Sequence, residues 1–156
     1  YTSGSTGRPK GVGITHRSAV TLVHWSLDAF PREDLAGVLA ATSVCFDLSI
    51  WEIFVPLAMG GRVILASNVI GLPQLAAIGE VTLVNAVPSP MAELVGGRLP
   101  AGLRTVNLAG EALKPDLVER IHAHPRVERV VSPGGIGNMS TSRGILLSPM
   151  TCRRGI

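Results

Sequence analysis

From Gly37 onward the chain repeats one pattern: a short apolar run, a glycine or proline break, then residues at helical spacing, with little slack between them. Strands are expected at 38–45, 62–66, 81–87, 103–109 and 127–131, and helices at 50–59, 72–78, 90–95 and 115–124, the last with Pro115 in its first turn. Ahead of the series, a short strand at 12–14 and a helix at 17–29 are expected, with Thr15 as N-cap and Pro31 as terminator. Repeated βα units of this kind specify an α/β fold, a largely parallel sheet with helices on both faces. Such sheets place ligand-binding groups at the carboxyl ends of their strands. Composition agrees: 46% of residues are hydrophobic and 16% charged, as expected when strands are covered on both faces. No uncharged run reaches the roughly 20 residues that a bilayer-spanning helix needs.

The net charge of +3 does not indicate nucleic acid, because it is confined to the tail. All 11 acidic residues and 11 of the 14 basic ones precede Arg143, which leaves 1–142 formally neutral. No basic patch interleaved with aromatic residues occurs. Cys45 and Cys152 form neither a disulfide framework nor a metal-ligand spacing, which suits a cytoplasmic, reducing compartment. The chain opens inside a motif, with neither an initiator Met nor a strand ahead of Tyr1, and is read as a piece of a longer protein.

That opening motif is Tyr1-Thr2-Ser3-Gly4-Ser5-Thr6-Gly7-Arg8-Pro9-Lys10-Gly11-Val12. Glycines let backbone N–H groups approach an anion, hydroxyls add donors and the lysine adds a compact countercharge, so the composition suits a polyphosphate cradle. A Ser/Gly-rich linker would have the same composition. The spacing is not that of a Walker loop, nor does a G-x-G-x-x-G follow a strand, which argues against a P-loop NTPase or a Rossmann protein. His16 and His24 have no Ser/His/Asp arrangement around them and are read as surface or cap residues.

The second informative stretch is Phe46-Asp47-Leu48-Ser49-Ile50-Trp51-Glu52-Ile53-Phe54. Ser49 and Glu52 have capping-box spacing, and Leu48 with Ile53 fits a hydrophobic staple. Asp47 has no such task. It is either a helix cap or a carboxylate that would need a cation if buried. Asn85 and Asn107 stand out as amides inside apolar strands, where they must find hydrogen-bond partners in the protein or a ligand.

The dodecapeptide resembles the phosphate loop of the adenylate-forming enzymes, the superfamily of nonribosomal peptide synthetase adenylation domains, acyl-CoA synthetases and luciferases. The Phe-Asp-x-Ser-x-Trp-Glu segment is similar to that of its amino-acid-activating members. The resemblance implies that amino acid and ATP give aminoacyl-AMP and pyrophosphate, and that a peptidyl carrier protein bearing phosphopantetheine then takes the acyl group as a thioester. It assigns Thr2, Ser3, Gly4, Ser5, Thr6, Gly7 and Lys10 to the phosphates of MgATP, with Lys10 and Thr6 positioning them for catalysis. Gly110 and Glu111 fall at the adenine contact, although Glu111 could equally be a solvated or helix-entry carboxylate. Asp47 corresponds to the residue that binds the substrate's α-ammonium, and Leu48, Trp51, Asn85, Asn107 and Ala109 to the side-chain pocket. The ordered set Asp, Leu, Trp, Asn, Asn, Ala resembles signatures associated with alanine. Alanine or another small amino acid is therefore the expected substrate.

The resemblance covers 1–131. Where the family carries Tyr-Gly-Pro-[Thr/Ser]-Glu, whose acid holds Mg²⁺, this chain has Ser132-Pro133-Gly134-Gly135-Ile136-Gly137, without an aromatic residue or an acid. Residues 132–156 are read as a divergent or aberrant tail that supplies no metal ligand. The polypeptide as given is not expected to catalyse adenylation alone, and a non-catalytic remnant or scaffold with weak nucleotide or amino-acid binding is the alternative reading. The expected partners are the amino acid, the carrier domain and neighbouring synthetase domains, with no nucleic acid and no membrane.

Overall fold

A computed structural model describes residues 11–132 and the backbone of Met150–Arg153. The elements run α1 (His16–Ala29), β1 (Gly37–Ala40), α2 (Leu48–Ala58), β2 (Arg62–Leu65), 3₁₀ turns at Val69–Gln74 and Ile78–Glu80, β3 (Leu83–Ala86), α3 (Pro88–Leu94), β4 (Thr105–Leu108), α4 (Pro115–His122), β5 (Arg129–Ser132) and β6 (Met150–Arg153). They build a six-stranded sheet in the order β2-β1-β3-β4-β5-β6. The first five strands are parallel, and β6 pairs antiparallel with β5.

Alternation along each strand sends side chains to two cores. Val38 and Leu83 face a core with Phe30, Leu35, Trp51 and Val55, against which α1 and α2 pack. Their chain neighbours Leu39 and Val84 face a larger core with Ile64, Leu72, Met91, Leu117 and Ile121, covered by the first 3₁₀ turn, α3 and α4. All four residues of β1 are buried, so a strand with both faces covered reads as a continuous apolar run. At its start, a Cβ on Gly37 would stand 1.9 Å from the Glu80 carbonyl oxygen, so only glycine admits this approach.

Several expected elements are altered. No strand forms at 12–14. The helix expected at 72–78 is replaced by the two 3₁₀ turns: Asn68 Oδ1 accepts from Gly71 N at 3.0 Å, and Pro73 lacks the donor that an α-helical continuation would use. α3 begins at Pro88 rather than 90, since a proline at the first helical position gives up only an N–H with no partner inside the helix. β1 stops at Ala40 instead of 45 because the next two N–H groups, of Ala41 and Thr42, are taken by the Glu52 carboxylate. β6 answers to no expected element.

A buried ionic cluster ties the amino ends of the strands together. Asp34, 1% exposed, accepts from Thr105 Oγ1 at 2.7 Å, Arg104 Nε at 3.1 Å and Arg129 Nη1 at 3.2 Å. Its carbonyl oxygen accepts from Thr82 Oγ1 at 2.8 Å. Arg129 also lies over the Phe30 ring, 5.3 Å from its centroid.

Candidate functional site

Most of the candidate residues that the structure describes lie at the opposite, carboxyl ends of the strands or in the segments that follow them, whereas Trp51 packs against Phe30 in the α1/α2 core. The phosphate-loop candidates Thr2, Ser3, Gly4, Ser5, Thr6, Gly7 and Lys10 lie outside the described residues, as does the stretch 133–149. After β1, an exposed loop that includes Val44 and Phe46 leads into α2. Asp47 sits at the N-cap position of that helix but with helical dihedrals and no capping bond from its side chain. Its carboxylate is exposed and has no hydrogen-bond or ion-pair partner among the described residues.

The expected capping box does not form. Helix α2 already begins at Leu48, which places Ser49 inside the first turn, where its Oγ donates to the Phe46 carbonyl at 2.6 Å. Leu48 is then a helical residue packed on the α1/α2 core and not a staple ahead of a cap. Glu52 points inward with none of its residue surface exposed. Its Oε2 accepts from Ala41 N at 3.1 Å and Thr42 N at 3.0 Å, and its Oε1 from Thr42 Oγ1 at 2.9 Å and Asn85 Nδ2 at 3.2 Å. A buried carboxylate with four donors is what makes its burial tolerable. It also pins the start of the β1–α2 loop, which carries Asp47, to the helix that follows.

The two amides continue this network. Asn85 and Asn107 are register partners on β3 and β4, so their side chains stand side by side on one face of the sheet. Asn107 Nδ2 donates to Asn85 Oδ1 at 2.8 Å. Asn107 Oδ1 is buried and has no partner among the described residues, the one free position in the line from Thr42 through Glu52 and Asn85.

Trp51, 6% exposed, is wedged between α2 and α1. Its indole Nε1 donates to Ser26 Oγ at 2.7 Å, Ser26 Oγ donates to Leu22 O at 2.8 Å, and its ring meets Phe30 edge-on at 5.3 Å. The indole is thus held rigidly, with its polar edge already used. Sequence reasoning missed Ser26, Thr42 and the inward role of Glu52. Only the unusual placement of a serine within an apolar helical stretch could have signalled the first.

Beyond β4, Ala109 N donates to Ala86 O at 3.2 Å and carries the strand pairing one residue further. Gly110 has φ of +90°, a backbone state that favours glycine, and it turns the chain away from the sheet. Glu111 Oε2 then accepts from Ser89 N at 3.0 Å and Ser89 Oγ at 2.6 Å. Glu111 therefore clamps the β4–α4 loop onto the start of α3.

Two open clefts, of about 530 and 410 Å³, lie elsewhere. They are lined by residues such as Arg32, Met59, Arg129, Gly61 and Thr82 toward the amino ends of the strands, and neither contains a candidate site residue. His16 and His24 are exposed on α1. Among the described residues no group of three or more His, Cys, Asp or Glu side chains could hold a metal ion, and no helix is long and apolar enough to cross a membrane.

Residues 1–140 match the family model for AMP-binding enzymes. Over 131 residues the chain is 50% identical to a linear gramicidin synthase of Brevibacillus parabrevis, covering 83% of this chain and 3% of that protein. It is 51% identical over 133 residues to the AMB antimetabolite synthetase AmbB of Pseudomonas aeruginosa, covering 85% of this chain and 11% of that one. The chain thus spans a small part of the length of these relatives. Among solved structures, the nonribosomal peptide synthetase FmoA3 in its AMPPNP-bound form superposes with a TM-score of 0.67 at 30% identity, over 78% of this chain and 14% of that one. The O-succinylbenzoate coenzyme A synthetase of Bacillus subtilis, solved with ATP and magnesium ion, gives 0.68 at 26% identity, over 84% and 28%. The chain belongs to the AMP-binding enzyme family, and its relatives at about 50% identity are parts of nonribosomal synthetases many times its length.

Proposed function

We propose that the chain supplies the amino-acid-recognising part of an adenylation reaction in which an amino acid and ATP give aminoacyl-AMP and pyrophosphate. A carrier-protein phosphopantetheine thiol then accepts the acyl group, within a cytoplasmic multidomain synthetase. The observation that carries this reading is Asp47, an exposed carboxylate at the start of α2 with no partner among the described residues, beside a sheet end where Glu52, Asn85 and Asn107 bond to one another. An α-ammonium is the complement such a carboxylate lacks. FmoA3, also solved with α-methyl-L-serine-AMP, lends support as a 30% identical relative holding a small aminoacyl adenylate.

In this reading Asp47 holds the amino end, while Leu48, Trp51, Asn85, Asn107 and Ala109 line the side-chain subsite. Trp51, fixed by Ser26 and Phe30, would be a rigid part of that subsite and the mutually bonded amides another, which leaves little freedom to adjust to a bulky side chain. This confinement supports alanine or another small amino acid, although one methylene discriminates by only about 1–3 kcal/mol. The Ala109–Glu111 turn offers backbone to adenine. The phosphates fall to Thr2, Ser3, Gly4, Ser5, Thr6, Gly7 and Lys10, with Lys10 and Thr6 positioning them. ATP with Mg²⁺ supplies the adenylyl group and its charge neutralisation. The described acids do not converge on a metal, so we assign no Mg²⁺ ligand here. Residues 1–131 form the central portion of the adenylation domain and 132–156 a divergent tail.

The test is amino-acid-dependent ATP–pyrophosphate exchange by the adenylation domain carrying this chain, across all proteinogenic substrates. A maximum at alanine or another small amino acid is expected. A maximum at a large aromatic or basic substrate would refute the assignment.

A further inference from the structure

Asp47 stands where a helix is ordinarily capped, yet its side chain caps nothing. Two other helical elements of the chain show the usual geometry. Thr15 (φ −77°, ψ 152°) accepts from Ser18 N at 3.2 Å and Asn68 (φ −165°, ψ 169°) from Gly71 N at 3.0 Å, both from extended backbone. Asp47 instead has φ −60° and ψ −31°, which is helical. The N–H groups that a capping side chain would take are already used, since Ser49 N donates to Phe46 O at 3.2 Å and Ile50 N to Asp47 O at 3.0 Å. Ser49, only 2% exposed, adds a second bond to the same Phe46 carbonyl, from its hydroxyl at 2.6 Å. That carbonyl belongs to the peptide unit containing Asp47 N, so two bonds from one residue fix the plane from which Asp47 departs. Its carboxylate is left exposed, without a partner among the described residues.

We propose that Ser49 is a positioning residue that reserves Asp47 for the substrate: its grip on the Phe46 carbonyl keeps Asp47 helical, a conformation from which the carboxylate cannot cap α2, and so leaves that carboxylate to an ammonium group. This rests on the proposed amino-acid site and adds to it a residue that touches no substrate. Aspartate is among the strongest N-cap residues. Without the grip, the first-turn N–H groups of α2 and the substrate's ammonium compete for one carboxylate, and the helix dipole favours the cap. A serine suits the task because its hydroxyl reaches a carbonyl three residues back while its backbone stays in the helix. Stability and binding are then opposed at this helix start: the better Asp47 caps, the less it is available to a ligand.

The experiment uses the adenylation domain carrying this chain, in parent, Ser49→Ala, Asp47→Asn and doubly substituted forms. Pyrophosphate exchange with the best amino acid gives KM for that amino acid, KM for ATP and kcat, and urea midpoints follow the fold. Ser49→Ala is expected to raise the amino-acid KM about three- to tenfold, the worth of one hydrogen bond, with kcat and the ATP KM nearly unchanged. Its urea midpoint should not fall below the parent's, because alanine is the better helix former and Asp47 becomes free to cap. In the Asp47→Asn background the same substitution should add much less to KM, because it acts through that carboxylate. If Ser49→Ala does not fold, Ser49→Cys, close in size and a weak donor, carries the test with the same expected direction. An amino-acid KM that the position 49 variant leaves unchanged, or raises equally with and without the Asp47 carboxylate, would overturn this proposal alone. An amino-acid KM that Asp47→Asn leaves unchanged would overturn the functional reading and this proposal with it.

Discussion

Replacing Asp34 by alanine tests how the amino end of the sheet is held. The side chain is buried and serves three donors, from the loop before β4, the first residue of β4 and the first residue of β5. Without it, Thr105 Oγ1 loses its acceptor at a position with no solvent exposure. Arg129, whose side chain is 14% exposed and whose Nε already lacks a partner, loses its only carboxylate among the described residues. Breaking a buried pair by removing one member costs about 3–5 kcal/mol. Arg104, 29% exposed and also bound to Glu128, recovers water and keeps a partner, so the lower end applies. The expected loss is about 3 kcal/mol, or roughly 6–12 °C in Tm for a domain of this size. Urea unfolding followed by tryptophan fluorescence measures it, since Trp25 and Trp51 flank Phe30 close to this cluster. Asp34→Asn should fall between parent and alanine variant, because one acceptor oxygen remains. A midpoint change equivalent to less than about 1 kcal/mol for Asp34→Ala would refute the reasoning, since surface substitutions alone reach about half of that.

Asp47→Asn should leave the unfolding midpoint unchanged, because the carboxylate is exposed and caps nothing. It should nevertheless lower kcat/KM in amino-acid-dependent exchange by roughly thirtyfold or more, as removal of a charge partner does at a desolvated contact. Trp51→Phe removes the indole bond to Ser26 and should cost about 1–2 kcal/mol. A double-mutant cycle with Ser26→Ala should return a coupling near 1 kcal/mol, and a coupling of zero would show that the two do not act together. Burial lowers the pKa of His124 below its ordinary 6.5, so the unfolded chain takes up this proton more readily than the native one. Its contribution is therefore fully favourable above pH 6.5 and is lost as pH falls from there toward the lowered native value. His124→Asn should flatten the stability profile in that window, which urea midpoints measured at stepped pH will detect.

The sheet was legible because its strands are covered on both faces and separated by glycines and prolines, so each apolar run of β1 through β5 was expected within a few residues of its place. Strand ends were less legible. The run beginning at Val38 stays β-prone through Cys45, and only Glu52, on the next helix, withdraws the N–H groups that would continue the ladder. The region 72–78 carries apolar residues at helical spacing, yet Gly71, Pro73 and the Asn68 turn tighten it into 3₁₀ geometry. Ser49 and Glu52 satisfied the spacing of a capping box, a rule that concerns one helix only. It lost to a tertiary arrangement in which the same carboxylate meets four donors.

Sequence by itself determined the family, the parallel α/β architecture and the identity of the residues at the carboxyl end of the sheet, because these follow from local period and from motifs read in order. Tertiary structure decided what those residues do to one another. Asp34 meets Thr105 and Arg129 across separations of 71 and 95 residues, and Asn85 meets Glu52 across 33. Spacing along the chain does not encode which buried polar groups will pair at such distances. The pairing is fixed when strand register and helix docking bring them together in a place without water, where each must find a partner or, like Asn107 Oδ1, be left without one among the described residues.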